Sequence, residues 1–208
     1  MMDLASLDRI RTNALVIRHA DRDAMRQWQI EQPLNEIGMR NAVAFGQELR
    51  GFSNYAFFSS PVDRCRQTIE CIQTGVFAGQ RTAECGLSEI LGKPGPFVVD
   101  RMNNEFKINP SCREVVIAQI AHCKLLGIRR TEEGAKMFMD YVTEQMNSVP
   151  NGTLLIFVTH DAIIAPVIFE LTGERFDYDN WPDFLDGFVV EKHGEDFKVM
   201  RNNKTYEI

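Results

Sequence analysis

Two basic residues, Arg18-His19, close the apolar run Leu15-Val16-Ile17, and a further arginine, Arg22, follows four residues after the first. Far downstream a second apolar run, Leu154-Leu155-Ile156-Phe157-Val158, leads into Thr159-His160-Asp161. Two histidines at strand ends, with arginines beside them, make a site for an anionic substrate. A neutral imidazole is a nucleophile toward phosphorus. It needs its other ring nitrogen hydrogen-bonded, so that the attacking nitrogen is free and aimed. Arginine suits the companion role because its planar fork binds two oxygens at once.

The elements that must hold these groups read as α/β. Residues 13–19 form a buried strand, and open α/β sheets bind ligands beyond the carboxyl ends of their strands. A polar loop with Asp21, Arg22, Asp23 and Arg26 follows. Pro33-Leu34-Asn35-Glu36 opens a helix with Asn35 as N-cap, and Gly51 stops it. Residues 55–59 read as a second strand; Pro61 suits the first turn of a second helix that carries Arg64 and runs to about Gly75. A short strand falls near 82–87. Residues 92–112, rich in Gly, Pro and Asn, read as a loop over the sheet edge. Residues 114–126 and 132–146 look helical, 153–159 form a strand after the Asn151-Gly152 turn, and 161–171 a helix. The tail reads as a hairpin of 184–190 and 197–201 around His193-Gly194-Glu195-Asp196. The expectation is a three-layer α/β/α domain over 1–208 with a mainly parallel central sheet, carrying an insertion at about 91–150.

Composition fits this reading. In 208 residues, 44% are hydrophobic and 25% charged, ordinary for a globular chain with one sizeable core. A net charge of −6 argues against wholesale nucleic-acid binding. The N-terminus lacks an apolar signal region, and no window approaches the roughly 20 apolar residues that span a bilayer. A cytoplasmic protein without nucleic-acid or membrane partners is expected. Five cysteines without a CxxC pair read as reduced, packed thiols.

Several stretches, taken in order, resemble the histidine phosphatase superfamily, which includes cofactor-dependent phosphoglycerate mutases and acid phosphatases. Arg18-His19-Ala20 resembles its Arg-His-Gly signature, with Ala20 departing from the usual glycine. Residues 33–42 resemble the helix that follows, Phe58-Ser59-Ser60-Pro61-Val62-Asp63-Arg64-Cys65-Arg66-Gln67-Thr68 resembles the Ser-Ser-Pro segment, and Val158-Thr159-His160-Asp161 the second-histidine motif. The resemblance implies a phosphohistidine at His19, with Arg18, Arg22, Arg64 and His160 binding the phosphate. Two residues compete to protonate the leaving oxygen. Asp161 resembles the His-Asp pair of the acid-phosphatase branch and is favoured; Glu89 resembles the glutamate of the mutase branch. The expected activity is hydrolysis of a small phosphorylated metabolite, in a chemistry that requires no metal or other cofactor. A mutase is the alternative enzyme. A non-catalytic phosphate-binding or scaffold protein is the alternative outside enzymes, disfavoured because every charged member of the site is present.

Other residues read as structural. Arg66 is a solvated helix charge, and His122 and His193 lack partner motifs. Asp177, Asp179, Asp183 and Asp186 form a solvated acidic loop or line the pocket mouth. Lys93, Arg101, Lys107 and Arg113 either meet a second anionic group or are surface. Trp28, Phe97, Phe106 and Trp181 either line a pocket or anchor packing.

Overall fold

A computed structural model describes residues 4, 7–23, 32–80, 82–109 and 111–208. Arg26 and Trp28 lie outside the described residues. The strands β1 (Asn13–Arg18), β2 (Asn54–Ser59), β3 (Cys85–Leu87), β4 (Thr153–Thr159), β5 (Gly187–His193), β6 (Asp196–Arg201) and β7 (Lys204–Glu207) form one sheet in the order β3-β2-β4-β1-β5-β6-β7. β3, β2, β4 and β1 run parallel, and β5, β6 and β7 continue antiparallel from the β1 edge. The parallel core is as expected; the antiparallel half is larger than the expected hairpin.

Strand alternation divides the core in two. Leu15, Ile17, Leu154, Ile156 and Val158 face one side and pack under α1 (Glu36–Glu48) and α2 (Asp63–Val76). Ala14, Val16, Leu155 and Phe157 face the other, with α4 (Cys112–Ile120), α5 (Thr131–Asn147) and α6 (Asp161–Thr172). Period-2 side chains put successive residues on opposite faces, so a continuous apolar run marks a strand covered on both sides. α1 and α2 lie close because Gly46 and Gly75 leave no side chain between them; a Cβ on either would fall about 2 Å from a carbonyl oxygen of the other helix.

Most boundaries follow local chemistry. Asn35 caps α1, its side chain accepting from the Gly38 amide at 2.8 Å. Pro61 lies outside α2, which begins at Asp63 after Val62. The helix expected over 114–126 begins at Cys112 and ends at Ile120, because His122 takes a left-handed turn (φ 59°). The strand expected from Phe184 begins at Gly187, and β7 was not anticipated. Its turn is Asn202-Asn203, both at positive φ, the conformation a two-residue hairpin loop requires.

Residues 91–150 do more than cover the sheet edge. α5 buries Phe138, Val142 and Met146 in the main core. Residues 92–109, with the four-residue α3 (Glu105–Ile108), lie over the strand ends.

Candidate active site

β2, β4 and β1 are neighbours, and their carboxyl ends are in register: Arg18 pairs with Thr159, and Ser59 with Val158. Ser60, His160 and His19 are the next residue on each strand, so the topology delivers them to one edge. Arg64 enters from the first turn of α2 and bridges the two rings. Its Nε donates to His19 Nε2 and its Nη2 to His160 Nδ1, both at 3.0 Å.

These partners fix the tautomers. A guanidinium can only donate and a carbonyl can only accept. His19 Nδ1 lies 2.8 Å from the Ala20 carbonyl, so Nδ1 carries the proton and Nε2 presents a lone pair. His160 accepts at Nδ1, so its Nε2–H donates to Ser60 Oγ at 3.0 Å. Burial, followed by His160 and Arg64, depresses His19 to about 2. Burial, followed by Arg64, depresses His160 to about 3. Both rings are neutral across the ordinary pH range.

The local backbone holds His19 without strain. Ala20 is not among the residues at positive φ, so alanine stands at no conformational cost where the signature it resembles has glycine. Its amide donates to Thr68 Oγ1 (3.0 Å), which in turn donates to the Arg64 carbonyl (2.7 Å). Thr68 thus ties the loop after His19 to the helix that carries Arg64. Gly92 is as constrained: at φ 146° its Cβ would lie 2.6 Å from the His160 ring and 2.7 Å from Ser60 Oγ. Ser60 and Thr68 stand within the Ser-Ser-Pro segment, but the motif assigns neither them nor Gly92 a role. Ser60 had a signal, as a polar residue directly after an apolar strand.

Arg18 is largely buried and held from several sides. Nη2 pairs with Asp161 Oδ2 at 2.8 Å, Nη1 donates to the Pro182 carbonyl at 2.7 Å, and the guanidinium lies 4.2 Å from the Phe184 ring centroid. Asp161 opens α6, accepts from the Ala162 amide at 2.9 Å, and accepts from the Trp181 indole at 3.0 Å. Burial alone would raise its carboxyl, but Arg18, the indole N–H and the two histidines hold it below the ordinary range. Arg22 lines the same cavity, and among the described residues its Nε is a buried donor with no partner. The cavity is about 540 Å³ and is also lined by His19, Arg64, His160 and Asp161.

Glu89 is placed differently. It opens a 3₁₀ turn (Glu89–Leu91), is more than half exposed, and is ion-paired with Arg101. Arg101 lines the cavity; Glu89 is not among the lining residues. Of the other candidates, Phe97, Phe106, Lys93 and Lys107 line the cavity, whereas Arg113 lies over Trp181, 4.9 Å from its centroid. Arg66 is exposed and 3.4 Å from Asp63. Asp186 is not a solvated acid, because Arg201 pairs with it at 3.2 Å. Cys65 is a packed thiol that burial pushes up to about 12; Cys112 and Cys123, by contrast, are exposed. Among the described residues no helix is long and apolar enough to cross a membrane.

Comparison with known proteins bears on the fold. Residues 14–105 match the model of the histidine phosphatase superfamily (branch 1). No curated protein matches the chain. Among solved structures, Bacillus stearothermophilus YhfR is similar at 18% identity and TM-score 0.62, over 93% of this chain and 97% of that one. A mycobacterial glucosyl-3-phosphoglycerate phosphatase is similar at 17% identity and TM-score 0.59, over 88% and 91%. A phosphoglycerate mutase from Bacillus anthracis is similar at 16% identity and TM-score 0.60, over 94% and 95%. At these identities the likeness is one of fold. Residues 14–105 thus match the histidine phosphatase superfamily, and across most of its length the chain shares the fold of solved phosphoglycerate mutase-like structures.

Proposed function

We propose that this chain is a metal-independent phosphomonoesterase that acts on a small phosphorylated metabolite through a phosphohistidine at His19. The observation that carries the reading is the His19 ring itself. Its Nδ1–H is held by the Ala20 carbonyl, and its Nε2 lone pair faces a cavity that Arg22, Arg64 and His160 also line.

A phosphoryl group entering the cavity takes over the N–H donors that Arg64 directs at the two imidazoles. Charge on the equatorial oxygens is then met by Arg64 and Arg22, and by His160 once its Nδ1, released by Arg64, takes up a proton beside the dianion, the electrostatic contribution that dominates phosphoryl transfer; Arg18, which does not line the cavity, acts through Asp161. His19 Nε2 attacks phosphorus, the P–O bond to the ester breaks, and Asp161 protonates the departing oxygen. In the second step Asp161 takes a proton from water, which attacks phosphorus and breaks the P–N bond. Inorganic phosphate and neutral His19 result.

Asp161 is ionised in the free protein, so its role as acid requires the substrate. A phosphate dianion beside it offsets Arg18 and Arg64 and raises the carboxyl pKa. Activity on esters with poor leaving groups is therefore strongest on the acid side of neutrality. The test is hydrolysis of p-nitrophenyl phosphate with EDTA present, wild type against His19→Ala, each checked for fold by circular dichroism. The expected outcome is release of inorganic phosphate by wild type and a loss of at least a thousandfold in the variant. Asp161→Asn should slow alkyl esters far more than aryl esters. If Glu89→Gln produces that selective loss instead, the acid is wrongly assigned. Return of the phosphoryl group to an alcohol without phosphate release would identify a mutase.

A further inference from the structure

The cavity is far larger than a phosphate, and its additional wall is apolar. At about 30 Å³ per water-sized group, a phosphate of five heavy atoms takes roughly 150 Å³, a minor share of the 540 Å³ present. Beyond the histidines the lining includes Val62, Phe97, Val98, Phe106 and Ile163, and the buried Asn104, whose Nδ2 is spent on the Asp100 carbonyl. Charged side chains there, Lys93, Arg101 and Lys107, are exposed residues, and Arg101 is paired with Glu89.

This wall is built rather than incidental. Phe97 is held against α5, where a Cβ on Gly134 would lie 2.3 Å from its ring. Its carbonyl accepts from the Arg129 amide at 2.7 Å, Arg129 Nε donates to the Pro96 carbonyl at 3.0 Å, and Val98 forms a bridge with Ile128. The next turn is closed by Asp100, whose carboxylate accepts from the Met102 and Asn103 amides and whose carbonyl accepts from Asn104 Nδ2 at 2.7 Å. α3 then presents Phe106, with its start tied down by the Glu105 amide donating to the Leu126 carbonyl at 2.9 Å. A polyol leaving group would place hydroxyls against these side chains and lose hydrogen bonds to water without replacement.

We propose that the preferred substrate is a phosphomonoester of an apolar alcohol, seated with its hydrocarbon against the half-buried Val98 and Phe106, with the buried Phe97 and Ile163 forming the floor behind them. The proposal rests on the phosphatase reading, and its experiment separates the two. The n-alkyl phosphates from ethyl to pentyl share nearly the same leaving-group basicity and differ in apolar surface alone. Full burial of a methylene is worth about fourfold in binding. The expected kcat/KM of wild type rises about two- to fourfold per carbon, and the Kd of the matching alkylphosphonates, measured by calorimetry, falls in step. Phe106→Ser flattens both series, and Phe106→Leu restores them.

Hydrolysis that stays flat along the series, or a glycerol phosphate preferred over propyl phosphate, overturns the substrate class and leaves the phosphatase standing. Phosphonate affinity that climbs with chain length in a folded protein that hydrolyses none of the esters supports the apolar site and overturns the phosphatase. A flat phosphonate series overturns the apolar site whatever the hydrolysis shows.

Discussion

At the scale of single residues, the account turns on two imidazoles kept neutral by burial and by one shared arginine. Folding stability must carry the signature of that arrangement. In the folded protein His19 and His160 lie far below the ordinary value of 6.5, whereas in the unfolded chain they take up protons near it. The pair therefore costs nothing above pH 6.5, and stability falls as pH drops below that value, down to the folded pKa values. One pKa unit is about 1.36 kcal/mol, so at pH 5 each histidine costs roughly 2 kcal/mol. Urea unfolding at pH 7.5 and pH 5 checks this, and His160→Asn should remove about half of the difference. An unchanged midpoint between the two pH values contradicts it. The residues of this pair were legible because each follows an apolar run that could only be a strand. The hydroxyl of Thr68, which ties the Ala20 amide to α2, was not, since a threonine on a helix carries no mark of what it will accept from 48 positions away.

At the scale of elements, the segment between α6 and β5 sets the state of Asp161, the proposed acid. Trp181 bonds Asp161, the Pro182 carbonyl and the Phe184 ring hold Arg18, and Phe184 also lies 5.7 Å from the His19 ring. Trp181→Phe keeps the packing and removes the donor. The Asp161 carboxyl then rises toward the ordinary range, so its acid form survives to higher pH. The alkaline limb of kcat for a poor-leaving-group ester should move upward, with kcat itself reduced about tenfold or less; a limb that stays put or moves down contradicts the role. Little of this was legible in the sequence. Hydrophobic periodicity located the helices and strands because it is local, and Asn35 and Gly152 marked their ends for local reasons. The grip of residues 182–184 on Arg18 joins positions 164 apart, and nothing in either stretch encodes the other. Glu89 illustrates the converse: its motif was legible, and the fold spends its carboxylate on Arg101.

At the scale of the whole molecule, the antiparallel half of the sheet braces the half that carries the candidate site. Arg201, at the end of β6 and 5% exposed, pairs with Glu174 at 2.7 Å and Asp186 at 3.2 Å, and donates to the Gly187 carbonyl at 2.5 Å. Asp186 also accepts the Arg18 amide through its own carbonyl at 2.9 Å. The chain of contacts thus runs from β6 to the entry of β5 and on to the residue beside His19. Arg201→Met leaves two carboxylates facing each other without their cation. Breaking a buried pair in this way costs roughly 3–5 kcal/mol. At about 2–4 °C per kcal/mol for a chain of this size, Tm should fall on the order of 10 °C, and activity with it. A variant with wild-type Tm and wild-type kcat would remove the brace from the account. The sequence reading found the parallel core and the hairpin but not β7, and it read Asp186 as solvent-facing, because the partner that buries it lies on the following strand.

The central claim is that the phosphoryl group passes through His19, and the most direct measurement is to catch it there. Wild-type protein quenched in alkali within milliseconds of mixing with radiolabelled p-nitrophenyl phosphate should retain about one equivalent of phosphate, stable to base, labile to acid, and mapped by peptide sequencing to His19. His19→Ala should retain none. Label on another residue, or turnover of the ester with no trapped phosphate at any quench time, would contradict the account.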